Sequence, residues 1–192
     1  MIRCFFDTET TGKPKKYKAP TTDVDNWPRL VQLSWILMDD TKELSRGDLI
    51  IRPDGFEIPE DATAIHGITT ERALKEGIPA KVAVYYFLGA ARCADALIGH
   101  NVSFDTHVVG AELVRAYGKD YLDGMKTQDT MLASVDFCAL PGKRGYKWPK
   151  LVELYQKLFG REFEDAHNSM ADITATAECY WELLKLGVIN NG

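Results

Sequence analysis

Asp7 and Glu9 stand two residues apart in Phe6-Asp7-Thr8-Glu9-Thr10-Thr11-Gly12, just after a short run rich in β-formers. Side chains alternate across a strand, so both carboxylates leave the same face. Two residues of strand rise cover about 6.5 Å. From that spacing two carboxylates reach a pair of divalent cations about 3.5–4 Å apart, the arrangement that serves phosphodiester cleavage. A bare D-x-E reads as readily as two solvated acids beside a turn. The apolar strand leading into Thr10-Thr11-Gly12 favours the site.

Two further segments carry chemistry-bearing residues, each with a plain alternative. Leu97-Ile98-Gly99 runs into His100-Asn101-Val102-Ser103-Phe104-Asp105, a buried strand giving way to a helix whose first turn holds Asp105. Taken alone, Asp105 reads as an acid favoured by the helix dipole, and His100 and Asn101 read as residues that shape the loop. In His167-Asn168-Ser169-Met170-Ala171-Asp172, residues five apart on one helix would be rotated by roughly 140°. His167 is therefore expected in the loop before the last helix if Asp172 faces a site. Ser169 as N-cap with Asp172 three residues on also matches a capping pair that needs no metal.

The elements that must position these residues follow from hydrophobic pattern. Ile2 to Phe6, Leu30 to Met38 and Asp48 to Arg52 read as strands, the last two as a hairpin across Asp39-Asp40-Thr41-Lys42. Gly12 to Trp27 is polar and aperiodic and is predicted to be a mobile loop. Its Lys13, Lys15, Lys16 and Lys18 are placed to meet phosphates, against the plain reading of a solvated loop. A helical turn after Pro59, a helix from Thr70 to Lys75 and one from Lys81 to Cys93 follow, the last with Val82, Tyr85, Tyr86 and Leu88 on one face. Asp95 to Gly99 is a buried strand. Helices are predicted at about Phe104 to Tyr117, Thr130 to Phe137, Pro149 to Phe159 and Ser169 to Leu186. Strands first, then helices around one more strand, imply an α/β fold with a mixed sheet covered by helices.

At 192 residues, 45% of them hydrophobic, the chain suffices for one core, read as a single domain over 1–192. No apolar run reaches the length of a membrane span, and the N-terminus lacks a secretory pattern, which places the protein in the cytoplasm. Cys4, Cys93, Cys138 and Cys179 lie far apart without C-x-x-C spacing and read as reduced core residues. A net charge of −5 argues against a protein that coats nucleic acid, but clustered cation-binding acids make a site look anionic until it is loaded.

Taken jointly, the three segments resemble the DEDDh branch of the proofreading-type 3′-to-5′ exonuclease superfamily, with its motifs in order over nearly the whole chain. The resemblance implies a ribonuclease-H-like fold. Asp7 and Glu9 fill the first motif, Asp105 the second, and His167 with Asp172 the third. It implies that these four acids bind two Mg²⁺ or Mn²⁺ ions and that His167 takes the proton of the attacking water. It also implies a terminal-nucleotide pocket lined by Ala64 to Thr69. Thr10, Thr11, Gly12, His66, Ile68 and Asn101 are the expected substrate contacts, Ile68 as an apolar wedge. Lys150 to Gly160 would be the helix before the third motif. Lys13 stands where the family commonly has an apolar residue, and Ile173 where a small one is common. The implied partners are a nucleic acid with a free 3′ end and, as a candidate, a DNA polymerase subunit, with no membrane. Two rivals stay open: a binding module that works through a polymerase, and a two-metal endonuclease.

Overall fold

The computed structural model describes residues 1–163 and 168–190. Its centre is a six-stranded mixed sheet built from β1 (Arg3–Thr10), β2 (Leu30–Met38), β3 (Glu43–Arg52), β4 (Ile78–Pro79), β5 (Ala96–Gly99) and β6 (Thr127–Asp129), in the order β4-β3-β2-β1-β5-β6. β1, β2 and β3 form an antiparallel meander, while β5 runs parallel to β1 and β6 parallel to β5. The helices are α1 (Glu60–His66), α2 (Thr70–Glu76), α3 (Ala80–Ala91), α4 (Val102–Tyr117), α5 (Thr130–Ala133), α6 (Val135–Cys138), α7 (Leu151–Phe159) and α8 (Ser169–Lys185). A two-stranded hairpin, β7 (Pro141–Gly142) with β8 (Gly145–Tyr146), separates α6 from α7.

The alternation along β1 sorts the core into two layers. Cys4 and Phe6 join Leu33, Trp35 and Phe87 beneath α3 and α4, whereas Phe5 meets Tyr180 of α8 edge-on, with ring centroids 5.3 Å apart. β2 is buried along nearly its whole length because both faces are covered, so it reads as a mostly apolar run, broken by Gln32 and Ser34, rather than as strict alternation. Buried Arg3 fastens α8 to β1: its Nε donates to Tyr180 Oη at 2.9 Å, and Tyr180 Oη donates to Gln128 Oε1 of β6 at 2.7 Å.

Several sequence expectations need correction. β1 continues to Thr10, four residues past Phe6, because backbone pairing with β2 carries the polar residues as strand. β3 begins at Glu43 rather than Asp48. Gly47 hides that extension in the sequence, and it sits where the Trp35 ring would lie within 2.6 Å of any Cβ. α3 buries Ala83, Val84, Phe87, Leu88 and Ala91 and turns Val82, Tyr85 and Tyr86 to solvent, so the expected apolar face is wrong apart from Leu88. The helix expected over Thr130 to Phe137 is split at Ser134, whose Oγ donates back to the Thr130 carbonyl at 2.6 Å. Cys93 is exposed, unlike the other three cysteines, and all four are free thiols.

The loop from Gly12 to Trp27 is pinned rather than loose. Asn26 bridges it through Oδ1, which accepts from Lys16 N at 2.7 Å, and Nδ2, which donates to Lys16 O at 3.0 Å. The Trp27 ring stacks on His107 at 4.8 Å, and Arg115 of α4 donates to the carbonyls of Val24 and Trp27. Its four lysines stay exposed. Among the described residues no helix is long and apolar enough to cross a membrane.

Candidate active site

β1 brings Asp7 and Glu9 onto the α8 face, continuing the side that Phe5 opens. α8 supplies Asp172, and one carboxylate oxygen from each of the three acids lies within 4.8 Å of the other two. The start of α8 is fixed against the strand by Ser169, whose Oγ donates to the Asp7 carbonyl at 3.3 Å. Asn168, not Ser169, is the N-cap, with Oδ1 accepting from Met170 N and Ala171 N at 3.1 and 3.3 Å. The third helical position is therefore Ala171, and Asp172 is not the acid of a capping pair. His167 lies outside the described residues.

Asp105 arrives from the opposite layer. Parallel pairing of β1 with β5 ends at Phe5 opposite Ile98, which leaves the next stretch of the β1 edge open. Asp105, in the first turn of α4, fills it: Oδ1 accepts from Thr8 N at 3.0 Å and from Thr8 Oγ1 at 2.6 Å. The strand's alternation thus sends Asp7 and Glu9 toward α8 and Thr8 toward α4, so Asp105 sits beside the trio rather than within it. Thr8 escapes sequence reasoning because it carries no metal-ligand chemistry. Asp129 escapes it too: its Oδ1 accepts from Asn101 N at 3.0 Å and from Met131 N and Leu132 N at 2.9 and 3.3 Å. It caps α5 and holds Asn101 in a left-handed turn, φ 74°, ahead of α4. The signal for it is an Asp immediately before a helix.

Burial and neighbouring carboxylates hold three of these acids above the usual carboxylate range. Burial, followed by the charges of Asp105, Glu9 and Asp172, pushes Asp7 well above the usual carboxylate range. Burial and the charges of Asp172 and Asp105 push Glu9 up to about 8. Burial takes Asp105 up to about 7 despite the opposing hydrogen bonds from Thr8. A fold that holds such a set ionised needs positive charge among the carboxylates. Their all-oxygen chemistry fits Mg²⁺ or Mn²⁺.

A stability test follows from these directions. Without cations the folded chain binds protons that the unfolded chain has released between about pH 4 and pH 8. Stability contributed by these groups is present below their ordinary values and is lost as pH rises through about 7 and about 8. In EDTA, Tm measured by scanning fluorimetry is expected to fall with pH across that window more steeply in the wild type than in Asp7→Asn. The gain on adding Mg²⁺ should grow with pH. Parallel slopes for the two proteins would rule out the coupled cluster.

A cleft of about 530 Å³ adjoins the acids, lined by Thr8, Glu9, Thr10, Gly12, Lys13, Asp61, Ala62, Ile65, His66 and Phe104. Ile68 is not its wedge. At 2% exposure it packs with Val31, Ile58, Ala62 and Ala73, and the isoleucine at the cleft is Ile65, 60% exposed. His66 Nδ1 accepts from Ile68 N at 3.1 Å, which leaves the proton on Nε2, and burial lowers its pKa. Thr10 Oγ1 donates to the Gly12 carbonyl at 2.7 Å and Thr11 Oγ1 accepts from Arg29 N at 3.0 Å, so both hydroxyls shape the loop. Gly12 has φ 145°, a conformation side chains rarely adopt. Asn101 does not line this cleft, and Ile173 lies on the fully buried face of α8.

Residues 4–180 match the RNase_T family model, described as Exonuclease. The chain belongs to the RNase_T exonuclease family. This places it in the DEDDh-type 3′-to-5′ exonuclease superfamily. The uncharacterized exonuclease CP81 of Escherichia phage 186 is 26% identical over 185 residues, covering 91% of this chain and 84% of that protein. The ribonuclease-H-like exonuclease fold is shared with E. coli Exonuclease I in complex with a dT13 oligonucleotide, at TM-score 0.73 and 21% identity over 96% of this chain and 41% of that one. The zinc-bound form of the E. coli enzyme with single-stranded DNA gives 0.72, 21%, 96% and 40%. Exonuclease I from Methylocaldum szegediense gives 0.73, 20%, 96% and 40%. The RNase_T chain spans about two fifths of the length of these solved proteins.

Proposed function

We propose that this RNase_T chain is a metal-dependent 3′-to-5′ exonuclease, acting as one domain, that releases nucleoside 5′-monophosphates from the 3′ end of DNA or RNA. The observation that carries this reading is the convergence of Asp7, Glu9 and Asp172 within 4.8 Å, with Asp105 held beside them by Thr8. These four carboxylates would hold two Mg²⁺ or Mn²⁺ ions. Bound there, the ions supply a lowered pKa for the attacking water and stabilise charge on the attacking and leaving oxygens. Asp7 and Glu9, on a strand braced on both sides, fix the ligand geometry. Thr8 orients the Asp105 carboxylate, and Ser169 ties the Asp172 helix to the same strand. His167 takes the water's proton. Ile65, His66 and Phe104 border the cleft that receives the terminal nucleotide, next to the Thr10-Thr11-Gly12 turn. Asn101 would act from the other side, at the start of α4. Exonucleases of similar sequence and fold, including one bound to dT13, support the exonuclease part of this reading. The same activity would serve proofreading where a DNA polymerase subunit delivers a mispaired 3′ end.

The test uses linear strands labelled at either end and a circular single strand, with Mg²⁺ and with excess EDTA. The 3′ label is expected to appear first as mononucleotide, the circle to survive, and EDTA to stop the reaction. Nicking of the circle would point to an endonuclease. Undiminished activity in EDTA would sink the two-metal mechanism.

A further inference from the structure

Residues 143–150, Lys-Arg-Gly-Tyr-Lys-Trp-Pro-Lys, place four cations and two large aromatic residues within eight positions of a chain whose net charge is −5. The structure gives these residues to the β7–β8 hairpin and to the strap that follows it into α7. Lys143 and Arg144 form its two-residue tip and make no ion pair among the described residues, whereas Lys147 pairs with Glu153. Tyr146 is 56% exposed and Trp148 is 64% exposed. Neither ring is paired with another aromatic side chain among the described residues, and each exposes more than half of its surface.

This surface is fastened to the candidate site. Pro149 is buried, and its carbonyl bonds His100 Nε2 at 2.9 Å, while His100 Nδ1 lies 3.0 Å from Thr130 Oγ1. His100 directly precedes Asn101, the residue that opens the helix carrying Asp105. On the other side, α7 packs through Leu154 and Tyr155 against Ala175, Cys179 and Leu183 of α8, the helix that carries Asp172. The strap that follows the hairpin is therefore tied to the start of one acid-bearing helix through His100, and α7 is packed on the other. Its backbone is set by Gly145 at φ 99° and by Ala139 at φ 51°, which turns the chain out of α6.

Exposed aromatic rings interleaved with unpaired cations recognise single-stranded nucleic acid, because every base offers a π face and every linkage a phosphate. In a duplex the base faces are already covered. We propose that Tyr146 and Trp148 stack bases of a single strand running toward the acid cluster, and that Lys143 and Arg144 hold its phosphates. This inference rests on the exonuclease reading for what the strand leads to, and it adds a preference for single-stranded over duplex substrate.

The test compares wild type, Tyr146→Ala/Trp148→Ala and Lys143→Ala/Arg144→Ala, with folding checked by circular dichroism. The substrates are dodecathymidylate, a blunt duplex, and the p-nitrophenyl ester of thymidine 5′-monophosphate, which reaches only the acid cluster. Loss of the rings is expected to raise KM for the single strand on the order of tenfold per ring, with kcat and ester hydrolysis unchanged. Loss of the two cations should reduce the salt slope of single-strand affinity by roughly 1.4. An unchanged KM for the single strand, an equal loss on the duplex, or an equal loss on the ester would each overturn the proposal. Should the wild type hydrolyse none of the three, the exonuclease reading falls separately. Fluorescence anisotropy with labelled dodecathymidylate then decides this one: binding that depends on Tyr146 and Trp148 upholds it, and binding indifferent to them overturns it.

Discussion

Asp7→Asn is expected to lower kcat on the order of 10³-fold and to leave it there at any practical metal concentration. Asp7 is the residue against which Asp105, Glu9 and Asp172 all press, which makes it the centre of the cluster. The change keeps the side chain's size but removes the charge that would draw a cation, and it places an amide donor among carboxylates. Metal affinity and stabilisation of transition-state charge should therefore fall together. The same substitution relieves repulsion, so Tm in EDTA should rise or hold while the rise on adding Mg²⁺ shrinks. Steady-state kinetics across a metal titration, paired with thermal melts, measure both. Recovery of wild-type kcat at high Mg²⁺ would show that Asp7 tunes affinity and is not indispensable to turnover.

His167→Ala should separate proton transfer from metal binding. It leaves every carboxylate in place, so stabilisation by Mg²⁺ should persist while kcat falls by about 10²–10⁴-fold, the usual worth of a positioned general base. In the wild type the rate should climb with pH through roughly 6 to 7, as an imidazole loses its proton and becomes able to accept another. That limb should weaken or vanish in the variant, where hydroxide replaces the missing base. A variant with lower Tm but kcat within a few-fold of wild type would instead make His167 a packing residue ahead of α8.

The two substitutions interrogate different links of one chain of causes. Asp7 sits on a strand whose position the whole sheet enforces, so its variant reports on electrostatics built into the fold. His167 precedes the α8 cap at Asn168, and its contribution is read from kinetics.

Much of this protein is determined locally and is therefore legible in its sequence. The D-x-E pair announces a shared face because strand alternation is a property of the backbone alone. Leu30–Met38 reads as a strand because a mostly apolar run suits an element covered on both sides. Asp105 and Asp172 are different: each is also a good helix-start acid, and no local rule distinguishes that role from a ligand's. Tertiary structure decides it. Moving the α8 cap to Asn168 frees Asp172 from a capping box, and the end of β5 opens the β1 edge that Asp105 fills through Thr8. The two isoleucines near His66 make the same point. Ile65 and Ile68 are chemically identical and three residues apart, yet the left-handed turn at Gly67 after α1 sends Ile68 into the core and leaves Ile65 at the cleft. Asp129 and the strand it ends are invisible to hydrophobic pattern because β6 is a three-residue polar edge held by pairing with β5. Residue chemistry and backbone periodicity determine which groups this chain offers for catalysis. Which of them meet depends on where strands end and helices cap, and those boundaries are settled by packing and pairing between segments distant in sequence.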